Sequence, residues 1–416
     1  MKRLEADVCV VGAGPAGLVV AQRLLQAQVG CVVLERLGAA ELCARAKAGM
    51  IEHRSVQALA SSGLAAPILE HGSSNGVVEF RLNGAGRVFD YAALTGGRGH
   101  YVYPQHLLVR AWADALLAQG GRLRFGTEVS SLEPATRPEL GARVLARDAE
   151  AEPLEIDCQA VVLASGGGPG LVPEGIASHE HAYPFRWLTT MIEMGALSER
   201  TVYATHDRGF AAHLRRSPQL TRYYLQIPAR DRLSDWADAR VRSELEQRLG
   251  VAAGALGGAV VERDLLDLRV RVREPLQRGC VYLAGDAAHL ITPAGGKGMN
   301  LAIQDALELS AGLIERFRDG SAERLSRYSA TRLPQIWRTQ EFSTWMLALH
   351  CGGALELGSG APEPAAGFAR RLHAAQLERL FSDPTFARWF AHQYAGVDED
   401  PSLVTRPGER AHEPQP

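Results

Sequence analysis

The chain has 416 residues, with 45 Lys and Arg against 47 Asp and Glu, and a formal net charge of −2. This near balance gives no reason to expect a nucleic acid or an anionic membrane surface as a partner. No apolar run reaches the ~20 residues of a membrane-spanning helix, and the first strand pattern begins too early to leave room for a signal peptide. We therefore expect a cytoplasmic protein of two or three domains, without a membrane partner.

The cysteines and one histidine motif give little support for a disulfide framework or a metal site. The cysteines lie mostly in apolar, strand-like runs and predict buried, reduced thiols, at Cys9, Cys31, Cys43, Cys158, Cys280 and Cys351. His179 and His181 flank one glutamate, but no third ligand has a suitable spacing. We predict no metal site and place this histidine segment in a surface loop.

A nucleotide-binding motif opens the chain, directly after an apolar strand at Asp7–Val11. Its G-x-G-x-x-G pattern leads from the strand into a helix and comprises Gly12, Gly14, Ala16 and Gly17. There the bare backbone can approach a pyrophosphate, whose charge the helix N-terminus favours. The second strand, Cys31–Leu34, ends at Glu35, an acid at about 20 residues' spacing that suits a ribose 2′-hydroxyl. The motif predicts a dinucleotide cofactor.

The middle of the chain contains helical patterns first and then strands typical of an antiparallel sheet. The helical patterns are Ser55–Leu64 and His106–Ala118. The strands that follow are Arg143–Arg147, Leu154–Cys158 and Ala160–Ala164, with a surface connection at Glu133–Pro153. The antiparallel set comprises Arg186–Met194, Arg200–Ala204, Gly209–Arg215 and Arg222–Ile227, and the amphipathic helix Ser234–Leu249 accompanies it.

A second glycine-rich segment, far along the chain, identifies the nucleotide as FAD. The strand Val281–Ala284 brings Asp286 to a position from which it can bond a ribityl hydroxyl. A helical pattern then runs from Leu301 to Arg318, and its N-terminus would stabilise negative charge on a reduced flavin. The loop before this helix has little side-chain bulk, so its backbone can face a flavin ring, at Gly298, Met299 and Asn300. Further helical patterns are Ala322–His350 and Ala366–Phe381.

These patterns predict an α/β fold with a Rossmann-like FAD-binding domain at residues 1–170. An antiparallel β-sheet substrate domain is inserted at 171–275, and the chain returns to the FAD domain at 276–320. A C-terminal helical region follows at 321–397. The tail at 398–416 is acidic and then proline-rich, and we expect it to be disordered.

Over nearly its whole length the chain resembles the single-component (group A) FAD-dependent aromatic hydroxylases. Tyr103-Pro-Gln105 is similar to a Tyr-Gly-Gln motif of that family. Further matching segments, several of which have no general structural reason to recur, are Arg45–Glu52, Tyr183–Trp187, Arg208–Phe210, Thr221–Pro228, Leu283–Leu301 and Tyr394. The resemblance implies additional FAD contacts from Arg36, Arg45, Lys47 and Gln105.

The resemblance also implies a set of substrate contacts. Tyr203 would hydrogen-bond the phenol of the substrate and pass its proton towards Tyr394. Arg216 would pair with a substrate carboxylate, and Tyr224 would line the ring pocket. The carbonyl of Pro293 would touch the phenol.

One further residue and several departures from the family pattern bear on the chemistry. Arg222 would sit between flavin and substrate and influence how the flavin swings. Two small hydroxyls of the carboxylate site are missing, at Leu214, which replaces serine, and at Ala294, which replaces threonine. Lys47 replaces an arginine that faces the FAD phosphates, and Asn75 replaces a histidine at the outer end of the proton relay. The family's Asp-Gly motif, which serves FAD and the nicotinamide nucleotide, reads Ser-Gly at 165–166.

By resemblance, the expected reaction is hydroxylation of an electron-rich phenol or aniline, benzoate derivatives included, ortho to its activating group. It would use O2, with NADPH or NADH as reductant, and proceed through a flavin C4a-hydroperoxide. One alternative is a hydroxylase or decarboxylating hydroxylase of a larger, less anionic aromatic in a biosynthetic pathway. Another is an FAD-binding protein without turnover. A homodimer is left open.

Overall fold

The computed structural model describes residues 2–44, 49–134, 141–166, 170–351 and 363–397. The strands of these ranges, in chain order, are β1 Lys2–Val11, β2 Cys31–Leu34, β3 Met50–Ile51, β4 Ser73–Asn75, β5 Val77–Leu82, β6 Ala85–Asp90, β7 His100–Val102, β8 Arg122–Arg124, β9 Glu128–Pro134, β10 Ala142–Arg147, β11 Pro153–Leu163, β12 Ala177–Glu193, β13 Thr201–Thr205, β14 Ala211–Ser217, β15 Leu220–Pro228, β16 Ala259–Glu274, β17 Gln277–Arg278, β18 Val281–Leu283 and β19 His289–Leu290.

The helices are α1 Pro15–Gln26, α2 Ala39–Ala44, α3 His53–Ala60, α4 Ala66–His71, α5 Tyr91–Leu94, α6 Gln105–Ala118, α7 Asp238–Leu249, α8 Gly298–Ile314, α9 Glu323–Ser326, α10 Tyr328–Cys351, α11 Glu363–Ser382 and α12 Pro384–Ala395. None of the helices within these ranges is long and apolar enough to cross a membrane. The single helical pattern predicted at Ala322–His350 corresponds to two helices, α9 and α10. The predicted FAD contacts Arg45 and Lys47 and the predicted disordered tail at 398–416 lie outside the described residues.

The first sheet has eight strands and carries the nucleotide-binding motif. Its order is β17-β18-β11-β1-β2-β8, with β10 and β9 continuing from β11. β1 is parallel to both β2 and β11, and its end, Val8–Val11, is buried, as expected of a parallel sheet covered by helices on both faces. This arrangement confirms the predicted α/β class.

Some element predictions in the first sheet were wrong in detail. The two strands predicted around Gln159 are one continuous strand, β11. Gln159 is tolerated inside it because its side-chain amide reaches the carboxylate of Asp7 at 3.5 Å. Within the segment predicted to be largely a surface connection, the predicted strand Arg143–Arg147 is present as β10, and it forms an antiparallel pair with β9, which was not predicted.

The second sheet has eight strands in the order β19-β16-β12-β15-β14-β13-β5-β6. Its strands are antiparallel apart from the parallel pair β13–β5, and two of them, β5 and β6, come from the part of the chain before residue 170. The predicted loop at His179–His181 was wrong: these residues lie in β12, paired with Val272 and Val270 of β16. The domain boundaries at 170, 275, 320 and 397 stay predictions.

A small three-stranded sheet, β3-β7-β4, joins these two parts. It brings together Met50, His100 and Asn75, which come from separate places in the chain. The C-terminal helices α10 and α12 pack on the second sheet in one apolar cluster that includes Tyr203, Tyr224 and Tyr394. The fold therefore brings the second sheet and the last helix together around these tyrosines.

Candidate active site

The glycine turn after β1 leaves space for a ligand. Gly12 has φ of +107°, which favours glycine, and its N–H donates to the carbonyl of Leu34 at 2.7 Å. A Cβ on Gly17 would collide with the carbonyl of Gly12, whereas one on Gly14 would meet no atom within 4 Å. Gly14 precedes α1, so this open space lies at a helix N-terminus, where a pyrophosphate is favoured.

The carboxylate of Glu35 is held at the end of β2. It accepts hydrogen bonds from the backbone N–H of Ala13 at 2.8 Å and of Leu37 at 3.0 Å. Each carboxylate oxygen keeps a second acceptor site for a ribose hydroxyl. Ala16 is buried beneath the turn, and Arg36 is exposed beside Glu35. The turn and this acid together fit the pyrophosphate and ribose of FAD.

The second predicted FAD segment reaches the same region from the other end of the chain. Gly285 packs against Ala16, since a Cβ on Gly285 would lie 3.4 Å from that of Ala16. Asp286 follows in a short turn and is half-buried. Gly298 and Met299, at the start of α8, are also half-buried, as is Gln105 at the start of α6.

The side chain of Asn300 binds the protein's own backbone. Its Oδ1 accepts from the N–H of Glu52 at 2.8 Å, and its amide donates to the carbonyls of Met50 at 3.1 Å and Gly296 at 2.9 Å. Asn300 therefore fixes the loop before α8 against β3. The segment was predicted to offer backbone N–H groups to the flavin, and this contact stays a prediction.

Two buried clusters of charged residues stabilise the loop before α8 and the helix itself, and neither was predicted from the sequence. Lys297 Nζ lies 2.6 Å from Glu52 Oε1 and donates to the carbonyl of Tyr394 at 2.9 Å. Asp305 accepts from Arg332 at 2.8 Å and from the N–H of Gly285 at 3.0 Å. The partners of each pair are distant in sequence, so no local pattern predicts the pairing. The one available signal was Lys297, a lysine inside a glycine-rich loop.

Tyr203 and Tyr394 meet in the buried interior. Their hydroxyl oxygens are 3.2 Å apart, and the side chains are 7% and 1% exposed. Tyr203 lies on β13, and its ring stacks on His350 of α10 at 4.3 Å between centroids. Burial raises the pKa of Tyr203 to about 12, although the hydrogen bond to Tyr394 lowers it. Both phenols are therefore protonated at neutral pH.

The neighbouring strands place the other predicted substrate contacts in register with Tyr203. Tyr203 is opposite Ala212 of β14, which is opposite Tyr224 of β15. Two residues further along these strands, and so on the same face, Leu214 is opposite Arg222. Arg222 is buried and forms a 2.8 Å ion pair with Glu262, which is half-exposed. The pairing of β13, β14 and β15 thus brings Tyr203 into register with Tyr224.

Pro293 and Ala294 lie at the loop before α8. Ala294 is buried and belongs to the same apolar cluster as Tyr203 and Tyr224. The carbonyl of Pro293 accepts from the N–H of Gly296 at 3.1 Å, and it retains a second lone pair for a phenol. Contact with the substrate phenol stays a prediction.

Several buried side-chain nitrogen atoms lack hydrogen-bond partners among the described residues, and two of them belong to a predicted site residue or to the neighbour of one. These two are Nη2 of Arg216, on β14, and Nδ1 of His106, beside Gln105 at the start of α6. Burial lowers the pKa of Arg216, and burial followed by the charge of Arg216 lowers the pKa of His106. Buried polar groups are normally satisfied, so these atoms fit a site that takes a polar or anionic ligand between β14 and α6.

Comparison with known proteins identifies the class. Residues 5–343 match the family model described as FAD binding domain, so the chain belongs to that family. It is an FAD-dependent aromatic monooxygenase, and FAD is its cofactor. The motifs quoted above are most similar to those of 4-hydroxybenzoate 3-monooxygenase. The p-hydroxybenzoate hydroxylase of Acinetobacter baylyi is 32% identical over 84% of this chain and 87% of the relative, which confirms the resemblance.

Relatives with other substrates share the same architecture. The 12-dehydrotetracycline 5-monooxygenase/anhydrotetracycline 6-monooxygenase of Streptomyces rimosus is 30% identical over 80% of this chain and 67% of the relative. The crystal structure of p-nitrophenol 4-monooxygenase from Pseudomonas putida superimposes with a TM-score of 0.79, covering 96% of this chain and 100% of that one at 20% identity. The similarity to the p-nitrophenol 4-monooxygenase structure is therefore a similarity of fold alone.

Proposed function

We propose that the chain hydroxylates a phenol or aniline ortho to its activating group, with O2 as co-substrate and NADH or NADPH as reductant. The observation that carries this proposal is the buried pair Tyr203–Tyr394, with hydroxyl oxygens 3.2 Å apart. When bound, FAD supplies the redox chemistry that activates O2. The protein must bind the aromatic ring, exclude water and remove a proton from the activating group.

Tyr203 and Tyr394 serve proton movement in this proposal. With a pKa raised to about 12 by burial, Tyr203 is a poor free base at neutral pH. It can accept the proton of the substrate hydroxyl only as its own proton moves to Tyr394. In this concerted exchange Tyr394 passes its own proton on in turn, so the substrate becomes a more nucleophilic phenolate and neither buried tyrosine is left charged.

In this proposal Arg216 binds the polar end of the substrate, Tyr224 lines the ring pocket, and Arg222 lies between substrate and flavin. Arg216 Nη2 has no hydrogen-bond partner among the described residues, so a guanidinium donor remains for a substrate acceptor. Leu214 and Ala294 offer no side-chain donors beside it. Each charged hydrogen bond that is absent is worth ~1.5–3 kcal/mol, so a compact benzoate is held less well.

A larger, less anionic aromatic is the second candidate substrate. Leu214 packs against the cluster that contains Tyr203, Tyr224 and Ala294, which makes this side of the pocket apolar. Relatives named for tetracycline intermediates are 30% identical to this chain, and one named for pentachlorophenol is 26% identical. The tyrosine pair does not support the alternative of an FAD-binding protein without turnover, because such a protein would not need it for proton transfer.

Anaerobic mixing tests the proposal. The purified, FAD-loaded protein is mixed with NADH or NADPH, with and without a panel of phenols and anilines that carry or lack carboxylates. We expect the flavin absorbance to bleach, and to bleach faster with a suitable aromatic. On admission of O2, that aromatic should gain one hydroxyl. A protein that binds FAD yet is reduced by neither nucleotide, with any aromatic, would contradict the proposal.

A further inference from the structure

Beyond Tyr394 the interior contains a tyrosine and a histidine that have no role in the reaction proposed so far. Tyr91 begins α5 and His100 begins β7, and both are buried, at 0% and 1% exposed. Their rings meet the ring of Tyr394 nearly at right angles, with centroids 5.1 Å and 4.9 Å away. Phe390 stacks on Tyr394 at 5.3 Å. Tyr394 is therefore packed directly against an imidazole and a second phenol.

Tyr91 and His100 are also linked to each other and to β4. The hydroxyl of Tyr91 donates to the backbone carbonyl of Asn75 and lies 3.1 Å from His100 Nδ1. Asn75 and His100 are directly opposite each other in the β4–β7 pair. The side-chain oxygen of Asn75 accepts from the N–H of Val77 at 3.1 Å. Position 75 has asparagine where the resembled family has histidine, and His100 supplies an imidazole on the neighbouring strand instead.

Charged groups from two further elements face His100. Lys297, before α8, and Glu52, before α3, form the buried 2.6 Å ion pair, and Arg54 connects Glu52 to the surface at 2.7 Å. Burial, followed by the charge of Lys297, lowers the pKa of His100 to about 3, although Glu52 and the Tyr394 backbone oppose this. His100 is neutral at pH 7. A neutral imidazole can take up a proton at one nitrogen while releasing one from the other, so it can conduct a proton without storing charge.

We propose that Tyr91 and His100 extend the proton relay of Tyr203 and Tyr394, in place of the histidine absent at position 75. This inference rests on the proposed function. As the substrate hydroxyl gives its proton to Tyr203, the proton of Tyr203 moves to Tyr394 and that of Tyr394 moves to the Tyr91–His100 pair. The pair releases one proton to solvent water. Each protein group ends with the protons it had, the substrate becomes a phenolate, and no redox step is involved.

The test measures ionisation of a bound phenol, which needs neither reductant nor O2. Oxidised, FAD-loaded protein is saturated with 4-nitrophenol, the pH is raised rapidly, and formation of the bound phenolate is followed by its absorbance. His100→Gln keeps a hydrogen-bonding side chain beside Tyr91 but cannot exchange protons between two ring nitrogens. We expect phenolate formation to slow by ~10²-fold or more, the usual scale of lost acid–base assistance.

His213→Gln is the matched control. His213 is also buried, and burial lowers its pKa to about 4, but its ring contacts Tyr223, which belongs to a different apolar cluster from Tyr203. This control should leave the rate unchanged. In the His100→Gln background, Asn75→His should restore most of the lost rate, because it returns an imidazole to the facing strand.

Equal rates in His100→Gln and the unsubstituted chain, at equal FAD content, would overturn the inference. An equal slowing in His213→Gln would overturn it too, because the effect would then reflect general loosening. If His100→Gln does not fold, Tyr91→Phe removes one hydroxyl and should give the same slowing. A protein that binds no phenol at all contradicts the proposed function itself, which separates the two failures.

Discussion

The glycine turn and the tyrosine pair differ in how far apart their parts lie along the chain. Glu35 and Ala13, which close the turn, are 22 residues apart, whereas Tyr203 and Tyr394 are 191 apart. The turn is shaped by its own backbone and by one nearby carboxylate, that of Glu35. The tyrosine pair depends on β13, on α12 and on the ion pair that holds the end of α12. We therefore expect FAD binding, on the nucleotide side, to depend on residues near the glycine turn. We expect proton transfer, on the side of Tyr203 and Tyr394, to depend also on residues far from the two tyrosines in sequence.

The largest effect is expected from Lys297→Met, a remote change. It leaves the buried carboxylate of Glu52 with Arg54 as its remaining cation. Removing one partner of a buried ion pair costs ~3–5 kcal/mol of the free energy of unfolding, and the low end applies here because Arg54 remains. Urea unfolding measures this loss in the free energy of unfolding.

The double variant Lys297→Met with Glu52→Gln is the control for this loss. It removes both charges, so it should be more stable than the single variant. If the single variant is as stable as the unsubstituted chain, the ion pair does not anchor α12, and the tyrosine pair does not depend on this remote contact.

Gly14→Val tests the local side. A Cβ on Gly14 meets no protein atom within 4 Å, so the valine should leave folding unaffected and obstruct only the cofactor. The backbone must come close to the pyrophosphate at this glycine, so the valine should abolish stoichiometric FAD binding, measured by flavin absorbance on reconstitution. Gly38→Val is the control, because its Cβ also meets nothing. Normal FAD content in Gly14→Val would place the pyrophosphate elsewhere.

The same contrast governs what the sequence could predict. The strand, turn and acid of the nucleotide motif follow one another closely, and the α/β class that they predicted is confirmed. The pairing of Lys297 with Glu52 joins residues 245 apart, and the only local sign of it is a lysine inside a glycine-rich loop. The position of His100 opposite Asn75 likewise depends on strand pairing, that of β4 with β7. The loop predicted at His179–His181 was wrong because pairing with β16 extends β12.

Tyr203→Phe probes the proton-transfer side directly. The substitution removes one hydroxyl from the pair with Tyr394 and leaves the aromatic contacts with His350 and Phe80. We expect FAD content to be unchanged and product formation to fall by ~10²-fold. Tyr223→Phe is the control, since that hydroxyl points to Met194 in another apolar cluster. An unchanged rate and yield of hydroxylated product in Tyr203→Phe would remove Tyr203 from the reaction.

The smallest effect concerns the polar end of the substrate. Leu214 and Ala294 replace two hydroxyl-bearing residues of the resembled enzymes, and a lone Arg216 can supply at most a bidentate pair to a carboxylate. We therefore expect 4-hydroxybenzoate to be a poor substrate.

Leu214→Ser together with Ala294→Thr should improve 4-hydroxybenzoate binding. A restored hydrogen bond to a charged group is worth ~1.5–3 kcal/mol, and 1.4 kcal/mol is about tenfold in affinity, so the pair should tighten binding at least about tenfold. Titration of the flavin absorbance with 4-hydroxybenzoate measures it, and Leu214→Val with Ala294→Val, which adds no hydroxyl, is the control. Ala294 is buried, so the added threonine must also fit without displacing Pro293. Micromolar binding and coupled hydroxylation by the unsubstituted chain would show that Arg216, with backbone or water, already satisfies the carboxylate.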